Sequence, residues 1–173
     1  MTEKRARIVK KEKIIPLRTP VVVIPYDWVD LIDRRAVFNP IYGIVIDYSQ
    51  QSITVDGSEQ IIYATDVQLK SGKVVSVPNL KHDKTGVFDK DSFIELIKEE
   101  IEKIDRKIKG LQFEIADTES FVSRIPEEAE FIREFWSAQL ASLKQSEKFF
   151  NKKKVKLEDL GKKVARKLEK MNK

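Results

Sequence analysis

Apolar residues recur at alternating steps of three and four along Ile94, Ile97, Ile101, Ile104, Ile108, Leu111 and Ile115. The spacing averages about 3.5 residues, the period of a helix that holds one narrow seam against another helix. Ser92 and Glu95 have the spacing of a capping box, so Asp91 or Ser92 is expected to start this helix. It should run past the polar interruption Thr118 to Val122 and stop near Arg124, ahead of Pro126. Gly110 falls on the outward side, where it costs about 1 kcal/mol relative to alanine without breaking the seam.

Pro126-Glu127-Glu128 suits the start of a second helix, because proline fits a first turn and acids favour the positive end of the helix dipole. Its apolar set is Ala129, Ile132, Phe135, Trp136, Leu140, Leu143 and Phe150. A short break between two long amphipathic helices predicts an antiparallel hairpin over 92–151. A short, basic C-terminal helix over 155–173 then carries Leu157, Leu160, Val164, Leu168 and Met171 on one face.

From Ile14 to about residue 80 the texture is that of strands, with short apolar runs between turn residues. Candidate strands are Ile14 to Leu17, Val21 to Ile24, Ile41 to Tyr48, Ile53 to Val55, Gln60 to Ala64 and Lys73 to Val77. Asp56-Gly57-Ser58 and Ser71-Gly72-Lys73 are turn sequences in which glycine supplies positive φ. Tyr26 to Arg35 reads as one short helix opened by Pro25, and 81–91 as a polar linker. The predicted fold class is α+β: a basic arm over 1–13, a small N-terminal β-barrel over 14–80, then the helices.

The charged share of 35% exceeds the usual quarter and suits long helices with much surface and little core. Its distribution is more informative than the net charge of +5. Residues 1–18 carry seven Lys/Arg against two acids, residues 144–173 carry twelve against four, and the acids concentrate between them. Basic ends of this kind attract polyanions, either nucleic-acid phosphates or anionic lipid headgroups. The candidate contacts are Lys4, Arg5, Arg7, Lys10 and Lys11 in the arm, then Lys152, Lys153, Lys154, Lys156, Lys162, Lys163, Arg166 and Lys167. Phosphate contact would follow, but no motif promises base readout. A solvated helix face, or a third helix packed across the hairpin, explains the same lysines.

Catalytic chemistry finds little footing. Without cysteine there is no disulfide, thiolate metal site or thiol nucleophile. His82 stands alone in the linker, so neither a paired-histidine metal site nor a histidine-based triad can be built within one chain. Asp27, Asp30 and Asp33 recur every third residue, but they lack the glycine-punctuated loop of a calcium site and read as a solvated acidic face. No glycine-rich phosphate loop occurs. The chain is therefore expected to be no enzyme and to take no cofactor or metal; its expected place is the cytoplasm, with membrane or nucleoid association as the option that the basic ends leave open. Its longest apolar run, Val21 to Ile24, is far too short to span a bilayer.

Asn39-Pro40-Ile41-Tyr42-Gly43-Ile44-Val45-Ile46 resembles a short strand-turn-strand in which glycine after tyrosine lets the chain reverse. Asp66-Val67-Gln68-Leu69 with Gly72-Lys73-Val74-Val75-Ser76-Val77-Pro78 resembles the end of the same barrel, and Ile125-Pro126-Glu127-Glu128 the hairpin tip that follows it. These segments resemble the CdvA family of archaeal cell-division proteins, a PRC-barrel followed by a coiled coil. The resemblance implies a filament-forming scaffold of archaeal division or membrane remodelling and an ESCRT-III-like protein partner. The leading expectation is thus a homo-oligomeric scaffold. Its assembly surface would be Phe131, Phe135, Trp136, Phe149 and Phe150, the aromatic surplus left once the Ile94 to Ile115 seam pairs within the chain. The alternative is a sequence-nonspecific nucleic-acid or ribonucleoprotein binding module with a purely intramolecular hairpin.

Overall fold

The computed structural model describes residues 7–8, 14–24, 40–78, 80–81 and 86–173. The expected helix over Tyr26 to Arg35, with Asp27, Asp30 and Asp33, lies outside the described residues, as do Lys4, Arg5, Lys10, Lys11 and His82. The elements are β1 (Arg7–Ile8), β2 (Pro20–Ile24), β3 (Ile41–Val55), β4 (Ser58–Leu69), β5 (Val74–Pro78), β6 (Leu80–Lys81), β7 (Gly86–Phe88), α1 (Lys90–Ser123) and α2 (Glu130–Met171). They fall into two compact units, Met1–Leu96 with Gly161–Lys173, and Ile97–Leu160.

The first unit is built on an open antiparallel sheet of order β5-β4-β3-β2-β7, beside a two-stranded β1-β6 pair. The expected closed barrel is not formed. Closure requires the outermost strands to pair with each other, and here the edges are β5 and the three-residue β7, which share no ladder. The two expected strands Ile41 to Tyr48 and Ile53 to Val55 are one strand. The polar stretch between them stays in register because Gln50, Gln51 and Ser52 pair with Tyr63, Ile62 and Ile61 of β4. Asp56 (φ 50°) and Gly57 (φ 78°) make the two-residue turn with both central φ positive that a twisted hairpin favours. Ile14 to Leu17 is not a strand but leads into a turn at Leu17 and Arg18, and the expected linker contains β7.

Alternation sorts the sheet's two faces. Val21, Val23, Val45 and Val67 form a buried cluster, flanked by Ile15, Tyr48, Leu69, Val75, Val77 and Val87. β2 is buried along its whole length on both faces. Gly43 does not reverse the chain, as the resemblance implied. It lies inside β3, opposite Val21 on one side and Leu69 on the other. A Cβ there would sit 2.4 Å from Val67 Cγ1 and 2.7 Å from the Gln68 carbonyl oxygen, so β4 can approach only a glycine. Asp66 ties three strands together by accepting hydrogen bonds from the hydroxyls of Ser49 in β3 and Ser76 in β5.

Also in this unit, α1 begins one turn earlier than its capping-box pattern suggests. Asp89 is the N-cap, accepting the Ser92 amide at 2.8 Å on its carboxylate while its carbonyl accepts the Phe93 amide. Phe93 is fully buried and meets Phe88 edge to face at 6.5 Å. Val164 and Leu168 near the end of α2 are buried as well, and Lys90 pairs with Glu169.

The separate C-terminal helix is replaced by the end of a 42-residue α2. No proline interrupts 130–171, and Gly161 is buried in the helix rather than placed past its end. The connection between the helices is Arg124 to Ala129, longer than expected, because Pro126 opens a turn closed by the Ala129 amide rather than the helix itself.

Candidate functional site

The second unit carries the surfaces on which assembly and polyanion binding would have to act. It is an antiparallel helix pair, fixed by contacts in nearly constant register. Lys154 pairs with Asp105 at 2.8 Å and Lys144 with Glu119 at 2.7 Å, the Lys107 ammonium lies 5.2 Å from the Phe150 ring centre, and Phe121 meets Trp136 at 5.0 Å. The predicted seam is therefore satisfied within one chain. Of its members Ile97, Ile104, Ile108 and Ile115 are buried. Ile94, in the first unit, and Ile101 and Leu111, in the second, are only half-covered. Glu100 is buried in the stripe with its carboxylate 2.7 Å from the Lys103 ammonium. On α2 the inner row is Trp136, Leu140, Leu143, Glu147, Phe150, Lys154 and Leu157, of which Leu157 is fully buried.

The five aromatics proposed for assembly divide. Trp136 and Phe150 face α1, through Phe121 and Lys107 respectively. Phe131 is 82% exposed, Phe135 52% and Phe149 48%. Phe113 of α1, which the heptad pattern does not single out, is 75% exposed. Every residue from Glu130 to Gln139 is exposed, so this end of the helix pair offers its apolar side chains to solvent. A two-helix hairpin has one inner seam per helix and cannot cover a second apolar row.

The candidate polyanion contacts divide too. Lys152 and Lys156 are exposed, and Lys153 is half-exposed. Lys154 is engaged with Asp105, whose hydrogen bond holds the ammonium pKa above its ordinary value. Lys144, Lys148, Lys152 and Lys156 form a row at four-residue steps and, with Ile115 and Val155, line an open groove of ≈ 700 Å³. In the first unit Lys162, Lys163, Arg166 and Lys167 are exposed on α2. Of the arm, Arg7 falls in β1.

Among the described residues no group of three or more His, Cys, Asp or Glu side chains could hold a metal ion. No helix among them is long and apolar enough to cross a membrane. The chain matches no family model, no curated protein and no solved structure.

Proposed function

We propose that this protein is a non-enzymatic assembly scaffold that associates with copies of itself through its helical unit and binds a polyanion through the lysines of α2. One observation carries the reading: with the Ile97 to Ile115 stripe already paired inside the chain, α2 still exposes Phe131, Phe135 and Phe149 along its length. Apolar surface left uncovered on a helix that already has its partner favours a protein contact. The basic row beside it suits phosphate, whether on DNA or on an anionic membrane. The finer reading, by resemblance, is a CdvA-like scaffold of archaeal division or membrane remodelling, with a PRC-barrel-like head and an ESCRT-III-like partner.

Light scattering on the full chain at tens of micromolar, with and without duplex DNA or anionic vesicles, tests this. The scaffold reading expects mass to grow with concentration and assemblies to lengthen on the polyanion. A chain that stays monomeric, and forms no polymer on either surface, refutes it. A monomer that nonetheless binds DNA, with an affinity falling steeply with salt, supports the second reading, a nonspecific nucleic-acid module. The helix pairing seen within one chain favours that second reading.

A further inference from the structure

The back of α2 carries a second heptad row that the hairpin leaves unused. Phe131, Phe135, Ala138, Ser142, Gln145 and Phe149 follow one another at steps of four, three, four, three and four, and all are exposed. At 3.6 residues per turn the row lies about 140° around the helix from Leu140 and Leu143. It extends about 27 Å at 1.5 Å per residue.

The row is self-complementary when reversed. Its spacing reads the same in both directions about position 140, with aromatic residues towards both ends and Ala138 and Ser142 at the centre. The charges beside it are reversed as well. Glu134 precedes the centre and Lys148 follows it on the same flank. Glu134 and Lys148 are exposed and make no ion pair among the described residues.

We infer that this row is a two-fold interface on which α2 of a second copy of this chain lies antiparallel, centred at position 140. In that register Phe131 packs beside Phe149 of the other copy, Phe135 beside Gln145, and Ala138 opposite Ser142, where small side chains let the helices approach. Glu134 meets the other copy's Lys148. An antiparallel pair aligns like flanks, so these charges match in this orientation. A parallel pairing sets unlike flanks together, so Glu134 and Lys148 would not meet and both attractions would be lost. The inference rests on the scaffold reading and specifies its contact.

The test uses the full chain and sedimentation equilibrium, with helicity checked by circular dichroism. Glu134→Lys alone and Lys148→Glu alone should each weaken self-association about tenfold, since two attractive contacts become repulsive in each homodimer. An equimolar mixture of the two variants should regain the wild-type association, because each supplies the charge the other lacks. The chain has no cysteine, so Ala138→Cys mixed with Ser142→Cys should oxidise to the mixed disulfide in preference to either homodimer. Single variants that associate as tightly as wild type, a mixture no tighter than its components, or a dominant 138-to-138 disulfide would each overturn the interface. In those cases a wild-type chain that still self-associates leaves the scaffold reading standing. A wild-type monomer removes both.

Discussion

Replacing Gly43 by alanine tests the packing on which the sheet depends. The added methyl would stand 2.4 Å from Val67 Cγ1 and 2.7 Å from the Gln68 carbonyl oxygen, well inside ordinary contact. Neither neighbour can yield easily. Val67 is fully buried in the valine cluster, and the Gln68 backbone is held in the ladder with Ile44 and Val74. Overpacking of this kind costs about 1–3 kcal/mol. Spreading β3 from β4 would weaken a ladder hydrogen bond worth about 1 kcal/mol. Reduced unfolded-state entropy returns about 0.5–1 kcal/mol. The net loss is about 2 kcal/mol, a fall of roughly 10 °C in the melting temperature of a unit this size. Amide exchange at Val45 and Val67 reports on the sheet alone and should accelerate about thirtyfold, the equivalent of that loss. Val67→Ala removes one of the two clashes but not the carbonyl, so the double variant should be about 1 kcal/mol more stable than the sum of the single effects. Unchanged exchange in Gly43→Ala, or strict additivity in the double variant, would refute the close-approach argument.

Three further outcomes are expected. Leu157→Ala should cost about 3 kcal/mol in urea unfolding followed by helical circular dichroism, because the side chain is fully buried against the inner seam. Asp89→Ala should cost about 1 kcal/mol and speed exchange of the Ser92 amide, whereas Asp91→Ala should leave that amide protected. The Lys90 ammonium donates a hydrogen bond to the Glu169 carboxylate, which raises the lysine pKa above 10.5 and lowers that of the glutamate below 4.5. The lysine's contribution is full below pH 10.5 and is lost as pH rises through its raised value. The carboxylate's is full above pH 4.5 and is lost as pH falls through its lowered value. The stability difference between wild type and Lys90→Met should therefore be flat through neutral pH and shrink at both extremes. A difference that changes between pH 6 and 9 would contradict the pairing.

The helices were legible because apolar spacing reports periodicity directly. The first helix was expected to end near Arg124 and does so at Ser123. Its buried stripe was less legible. Near its start burial shifts towards Phe93 and Leu96, leaving Ile94 half-covered, and it admits Glu100, because a helix of 3.6 residues per turn drifts against a 3.5-residue pattern. The length of β3 was hidden by Ser49 to Ser52, whose strand conformation comes from pairing with β4 rather than from their own propensity. Gly43 shows the same limit. The resemblance implied a turn at this glycine, and only the nearness of Val67 reveals it as a site of close strand approach. Phe149 and Phe150 were both assigned to the assembly surface, yet one residue of rotation turns Phe150 towards Lys107 and leaves Phe149 in the outer row.

The segregation of charge along α2 couples the two proposed activities. Lys148 would meet Glu134 of a second copy in the antiparallel register, and with Lys152 it also lines the groove available to phosphate. A polyanion bound there would compete with the second copy for the Lys148 ammonium. Lys162, Lys163, Arg166 and Lys167 lie outside the outer row and carry no such conflict. If the scaffold binds DNA while assembled, phosphate should engage this C-terminal set. Reversing Lys162, Lys163 and Lys167 to glutamate would then flatten the dependence of log affinity on log salt by about 0.9 for each phosphate no longer neutralised. Lys148→Glu would instead alter assembly and leave that slope nearly unchanged. A slope carried by Lys148 would mean that DNA and a second copy exclude one another at this surface, and that the protein binds DNA only when unassembled.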